Sequence, residues 1–388
     1  MNREQIKNHD FDGDSLPPDA ILDQVDAHDS EMREAQPRMA LAKAAYITRW
    51  WEWVEGHKAE QSDAPFRLGR IDRIQVNRIK PALSGYLNSL YPRRMRVVCG
   101  QDPAGTGDPD LAELVINRWF NSNNVRDRIL LCSRQALLYP GAGCKIGYDS
   151  GSGSAIDRVW FRSFPYWELV LDCDAHDWDD ARFIGHVYYR PKHEVEEEYD
   201  LDNLNGSSRT DFLSSSSLGG EEQNRSRQHQ AGSSDGDEDH FVRVLEICNM
   251  VDEVVDEEDP SLRYKGRLEI YVLDQGEISN TPIYMGPMAF SHPDGTPMPH
   301  ILPLIFEHEP EYPYRGLAYA EQLLPQQMEL NSYRSYMSQA SRKDSRQYVT
   351  KKGVLDSETK TMLMDGEEGL VVEVDESYQG ALNDVIVP

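Results

Sequence analysis

The densest group of chemically capable side chains is the run Asp172-Cys173-Asp174-Ala175-His176-Asp177-Trp178-Asp179-Asp180. Clustered carboxylates suit a hard cation such as Ca²⁺ or Mg²⁺, and a cation held there would support metal-dependent processing of nucleic acid. Asp172, Asp174 and Asp177 are the candidate ligands of that reading. The run has neither the central glycine nor the glutamate at the twelfth position that a calcium loop uses, so a solvated acidic loop between two strands explains it more simply. Gly141-Ala142-Gly143-Cys144-Lys145 has the outline of a phosphate-binding loop. It lacks the first glycine at the required spacing and carries Ile146 where a Mg²⁺-binding Ser or Thr belongs, so a helix-to-strand turn is the better reading. His193-Glu194-Val195-Glu196-Glu197 lacks the second histidine of a zinc-protease helix and reads as a charged helix face.

The aromatic residues between Trp160 and Trp178, with Tyr188 and Tyr189, could stack on bases. Stacking platforms come with a basic groove, and these neighbours are acidic, so packing within a sheet is expected. Cys99, Cys132, Cys144, Cys173 and Cys248 form no CxxC pair, which points to buried free thiols rather than a disulfide framework or zinc ribbon. No residue pattern calls for a cofactor, and no catalytic centre is expected.

Charge separates the chain into parts. The net charge is −27, which argues against tight, non-specific phosphate binding by the surface as a whole. Two basic islands interrupt the acidic body. Residues 67–96 hold eight basic residues against Asp72 alone, and residues 333–352 hold Arg334, Arg342, Lys343, Arg346, Lys351 and Lys352 against Asp344 alone. A cationic helix end is favoured by the helix dipole without any partner. Arg334, Arg342, Lys343, Arg346, Lys351 and Lys352 are nonetheless the candidates for contact with DNA in a channel or with a neighbouring subunit.

The elements that must position these groups follow from hydrophobic period. Residues 1–30 are Asp-rich and read as a flexible acidic arm. Met32, Ala35, Met39, Ala42, Tyr46, Trp50 and Trp53 recur at helical spacing over about 30–56, and Ile79, Leu83, Tyr86, Leu87 and Leu90 mark a second helix. Pro81 is tolerable there only near the first turn. Arg96-Val97-Val98-Cys99 reads as a strand. Leu111, Leu114, Val115, Arg118 and Trp119, then Ile129, Cys132, Ala136 and Leu137, continue the helical period. After Gly143 the period changes to two, through CKIGYD, RVWFRSF, WELVLD, RFIGHVYYR, FVRVLEICNMV, RLEIYVLD and TPIYMG. Residues 202–240 carry few apolar side chains and read as a flexible insertion. Gly316 to Lys352 reads as one long, mostly polar helix, better suited to bridging bodies or packing on copies of itself than to filling a core. No apolar run is long enough for a membrane span and the N-terminus has no signal region, so neither a membrane span nor secretion is expected and the protein reads as intracellular when made.

The β-rich unit is followed by Pro303-Leu304-Ile305-Phe306-Glu307-His308 and by the turn Tyr312-Pro313-Tyr314-Arg315-Gly316. Glu321, Gln327, Asn331 and Ser335 then stand in the long polar helix. In this combination the chain resembles the portal proteins of tailed bacteriophages. VNRIKPALSGYLNSLYPRRMRVVCG is similar to the helix leading into a strand of the portal wing, and ILLCSRQALLYPGAGCKIGYD to its helix, glycine turn and strand. The likeness covers roughly residues 35–375 and lies in segment order rather than in one invariant motif.

The resemblance implies an α+β portal fold. Its wing would be residues 31–315, with a helical part at 31–140 and a β-rich part at 141–315, its stem helix 316–347, and its small α/β clip 348–388. The family also has a return stem helix and a crown. This chain stops at Pro388 without them, and an incomplete chain is the expected reason. The implied assembly is a ring, usually of twelve subunits, at one capsid vertex, with double-stranded DNA passing through it. The implied partners are the large terminase subunit, a tail adaptor, and the major capsid and scaffold proteins. The implied location is the virion, with the host cytoplasm during assembly. The alternatives are a metal-dependent nucleic-acid enzyme using residues 172–180 and another phage head–tail adaptor.

Overall fold

The structure is a computed structural model; it describes residues 17–51, 74–91, 96–100, 108–148, 159–178, 180–201, 203–206, 241–255, 263–292, 295–311 and 315–344. The chain divides into two compact units, residues 1–43 with 80–322 and residues 44–79 with 323–388. The described elements are mixed helix and strand, which is the α+β class expected. No helix among the described residues is long and apolar enough to cross a membrane.

In the first unit, helix α1 (Pro18–Tyr46) begins well before the expected start near Ser30. Residues 18–30 are therefore helical rather than part of a loose arm. The physical reason is a narrow apolar stripe: Ile21 and Val25 are four residues apart and pack on Val170, Phe183, Leu245, Ile247 and Tyr271, while Asp19, Asp23 and Asp26 stay exposed. Burial on a sheet outweighs an unfavourable composition. Helix α2 (Ile79–Leu90) places Pro81 in its first turn, where a missing N–H leaves no internal bond unmade.

Residues 96–100 form no strand. Asn117 of helix α3 (Pro109–Ser122) takes the place of a neighbouring strand: its Oδ1 accepts from Val97 N at 3.0 Å and its Nδ2 donates to Val97 O at 2.8 Å. A left-handed Asn124, φ 50°, then turns the chain into helix α4 (Val125–Leu138).

The strands are β1 (Ala142–Tyr148), β2 (Val159–Pro165), β3 (Leu169–Leu171), β4 (Phe183–Pro191), β5 (Phe241–Val255), β6 (Arg263–Val272), β7 (Tyr284–Pro287), β8 (Phe290–Ser291), β9 (Pro297–Met298) and β10 (Ile301–Leu304). Among the described residues all strand pairings are antiparallel, in the orders β10-β1-β2, β3-β4-β5-β6-β7 and β8-β9. Alternation along β5 explains the two buried faces of the five-stranded sheet. Leu245 and Ile247 face α1. Val242 and Val244 face Val195 of helix α5 (Lys192–Tyr199), together with Leu201, Leu204 and Ile283.

Residues 203–206, expected to belong to a flexible insertion, are packed instead. Leu204 is buried, and Asn205 N donates to Gln275 Oε1 at 2.6 Å while Gln275 Nε2 donates to Asn205 O at 2.7 Å. Residues 207–240 lie outside the described residues.

In the second unit the end of α1 is followed by Thr48 at φ 66° and by a buried Trp50. An extended segment, 74–78, is tied to this turn by Trp51 Nε1 donating to Ile74 O at 3.2 Å and Asn77 Nδ2 donating to Tyr46 O at 2.8 Å. Helix α6 (Tyr319–Asp344) contributes residues from 323 onward. It starts three residues later than expected because Gly316 bridges His308 and Leu317 N donates to Glu307 O at 2.8 Å. Its 26 residues rise about 39 Å. The expected clip, 348–388, lies outside the described residues.

Candidate functional site

Within the second unit, α6 meets the extended segment 74–78 through a ladder of side-chain amides and a hydroxyl. Gln327, Asn331 and Ser335 stand four residues apart and are buried. Arg78 N donates to Gln327 Oε1 at 2.9 Å, Val76 N to Asn331 Oδ1 at 3.0 Å and Ile74 N to Ser335 Oγ at 3.1 Å. Gln327 Nε2 donates to Val76 O and, at 2.9 Å, to Asn331 Oδ1, while Ser335 Oγ donates to Ile74 O at 3.3 Å. The match is metric. Four helical residues rise about 6.0 Å and two extended residues span about 6.6 Å, so every fourth helix residue meets every second segment residue. The helix thereby serves the segment as a neighbouring strand would. Asn331 Nδ2 is buried without a hydrogen-bond partner.

The other side of α6 is different. Tyr333, Tyr336 and Met337 are 59%, 67% and 48% exposed and share one face at i, i+3 and i+4. They are turned more than about 100° from Asn331. Arg334 is exposed. Arg342 and Lys343 fall in the last described turn of the helix, whereas Arg346, Lys351 and Lys352 lie outside the described residues.

The acidic loop is occupied by an arginine. Asp172 is buried and accepts from Arg182 twice at 2.8 Å, through Nε on Oδ2 and Nη2 on Oδ1, and from Arg182 N at 3.1 Å. Asp174 Oδ2 accepts from Arg182 Nη2 at 2.7 Å and from Gln24 Nε2 at 2.8 Å. Asp177 Oδ1 accepts from Asp180 N at 3.2 Å, closing a turn. Burial pushes the Asp172 carboxyl up, but the Arg182 bonds and charge outweigh it and hold the group below its ordinary range. The lone pairs a cation would need on Asp172 are thus taken, and no metal-ligating group of three is found among the described residues.

The glycine turn at 141–145 packs rather than cradling phosphate. A Cβ on Gly143 would lie 2.0 Å from the Phe164 ring, and Phe164 in turn stacks on His186 of β4 at 3.8 Å. Lys145 pairs with Glu246 of β5. Around that carboxylate the fold assembles a group that residue spacing does not announce. His300 Nε2 sits 2.6 Å from Glu246 Oε1, Cys248 Sγ sits 3.3 Å from His300 Nδ1, and Tyr188 OH donates to Glu246 Oε2 at 3.2 Å.

Thiol, imidazole and carboxylate in this order have the connectivity of an activated nucleophile. Cys248 is 0% exposed, however, so no substrate reaches it and the group ties two sheets together instead. Burial pushes Glu246 up, but the His300 hydrogen bond and the Lys145 charge carry it down to about 2. Burial pushes His300 down, and its bonds to Cys248 and Glu246 carry it up to about 9. The only foothold in the sequence is the i, i+2 pair Glu246 and Cys248 on one strand face.

No protein-family model matches the sequence, and a search of curated proteins finds no match.

Proposed function

We propose that the chain is a structural subunit of a tailed-phage portal ring, the channel through which the genome is packaged and ejected. In this reading 31–315 is the wing, 316–347 the stem and 348–388 the clip that meets the large terminase subunit and the tail adaptor. The observation that carries it is the division of α6 into two faces. The amide ladder engages one side within the unit, and an exposed stripe of Tyr333, Tyr336 and Met337, about 6 Å long, lies on the other. An apolar stripe of that kind suits burial against a neighbouring copy. A closed ring joins unlike faces of successive subunits, so each stripe has a place to go.

Charge supports the same reading. A polymer that slides cannot be held by many fixed phosphate contacts, because each ion pair must break at every step. An acidic body with two basic islands gives a few rings of positive charge in a channel that otherwise repels DNA. The subunit would act in the virion, after assembly in the host cytoplasm with capsid and scaffold proteins.

Light scattering and electron microscopy of the purified chain test the proposal. Rings with a wing, stem and clip outline are expected, and Tyr333→Glu with Tyr336→Glu should reduce them to monomers of unchanged circular dichroism. A strict monomer under assembly conditions, or a double variant that assembles as before, would overturn it. Rings lacking the stem outline would indicate another head–tail adaptor.

A further inference from the structure

Helix α4 packs on β1, with Leu304 and Phe306 against the same cluster. Cys132 and Ala136, four apart on the helix, face Ala142 and Cys144, two apart on the strand, in one apolar cluster. Cys132 Sγ lies 3.7 Å from the carbonyl oxygen of Gly143, the residue before Cys144. Both thiols are free, Cys132 buried and Cys144 half-buried.

We propose that Cys132 and Cys144 are a redox-responsive thiol pair, which an external disulfide oxidises to a bond stapling α4 to β1. A disulfide requires a short Cβ separation, and the cluster of Cys132, Ala136, Ala142 and Cys144 brings the two thiols into one apolar site. The neighbouring Cys132 thiol holds the pKa of Cys144 below its ordinary value, while Cys144 and burial push Cys132 up. Cys144 is therefore the attacking thiol. With oxidised glutathione, the Cys144 thiolate attacks one sulfur, forming a mixed disulfide and releasing one glutathione thiolate. That thiolate takes the Cys132 proton, and the Cys132 sulfur then attacks Cys144 Sγ and expels the second glutathione. Two thiols and one disulfide become one protein disulfide and two reduced glutathiones.

A reducing cytoplasm keeps such a pair open, and an oxidising medium closes it. Only this last consequence rests on the virion reading; the chemistry of the pair is independent of any ring.

The test is native oxidation of the whole chain with oxidised glutathione, followed by peptide mapping without reduction. The expected product joins the peptides of Cys132 and Cys144 with loss of two hydrogens, and dithiothreitol reverses it. C132S should stop at a glutathione adduct on Cys144, and C144S should react at least tenfold more slowly at Cys132. A wild-type product that remains the Cys144 adduct, or that links either cysteine to Cys99, Cys173 or Cys248, overturns the proposal. So does complete absence of reaction while the chain is folded by circular dichroism. Light scattering on the same samples reads assembly separately, so failure of the thiol pair and failure of the ring are distinguishable.

Discussion

Replacing Asn331 by Ala removes the central rung of the ladder on α6. Three effects add. Val76 N–H loses its acceptor, Gln327 Nε2 loses one of its two acceptors, and a fully buried side chain leaves a small void. An unsatisfied backbone donor costs about 1–3 kcal/mol, and the second lost bond about 0.5–1.5 kcal/mol. Removal of the unpartnered Nδ2 returns part of this, so a net loss of about 2–3 kcal/mol is expected. Ser335→Ala touches only Ile74 and should cost about 1 kcal/mol. Arg334→Ala, on an exposed position one residue away, should fall within about 0.5 kcal/mol. Because the chain has two units, a single unfolding midpoint is a poor readout. Hydrogen exchange at the amides of Ile74, Val76 and Arg78 is the better one. Those three should be protected in the wild type, and protection at Val76 should fall by about 30- to 150-fold in Asn331→Ala, which is about 2–3 kcal/mol at about 1.4 kcal/mol per decade. If Asn331→Ala behaves like Arg334→Ala, or if the three amides exchange freely in the wild type, the ladder does not hold the segment.

Other perturbations probe the first unit. Burial pushes His28 down to about 4, so it folds neutral. Its contribution is present above about 6.5 and is lost as pH falls through about 4, at about 1.4 kcal/mol for each pH unit between those limits. His28→Leu should flatten urea midpoints across that window; an unchanged slope would refute the assignment. His300 has the opposite sign: its contribution is complete below 6.5 and is lost as pH rises through about 9, so His300→Gln should blunt alkaline destabilisation in the same titration. Arg182→Ala strands the buried Asp172 and should cost about 2–3 kcal/mol, below the full value for a buried pair because Arg182 is 36% exposed. The deficit should shrink in acid as Asp172 protonates, and a deficit independent of pH would sink this reading. Gly316→Ala drives a Cβ to 1.7 Å from the Pro140 carbonyl oxygen and should cost about 3 kcal/mol or more, whereas Gly85→Ala, with open space around it in α2, should gain about 0.5–1 kcal/mol. Thermal melts of the two glycine variants side by side check the contrast.

Hydrophobic period by itself determined the helical first part, the switch to strands after Gly143 and the long polar helix near residue 319, because those patterns repeat within one element. Gln327, Asn331 and Ser335 stood out only through the segment order on which the resemblance rests, and nothing there revealed what they hold. What only the tertiary structure decided are the pairings that depend on distant backbone. Residues 18–30 are helical because a sheet formed from residues 169–273 covers Ile21 and Val25. Val97 has its strand-like bonds because Asn117 supplies them from a helix. Asp172 and Asp174 looked like cation ligands in isolation, and Arg182 closes on them only once the loop folds back. The group of Glu246, His300, Cys248 and Lys145 draws on β1, β5 and the loop before β10. Local spacing records what an element repeats along itself; it carries no record of which partner arrives from far along the chain to satisfy a buried polar group.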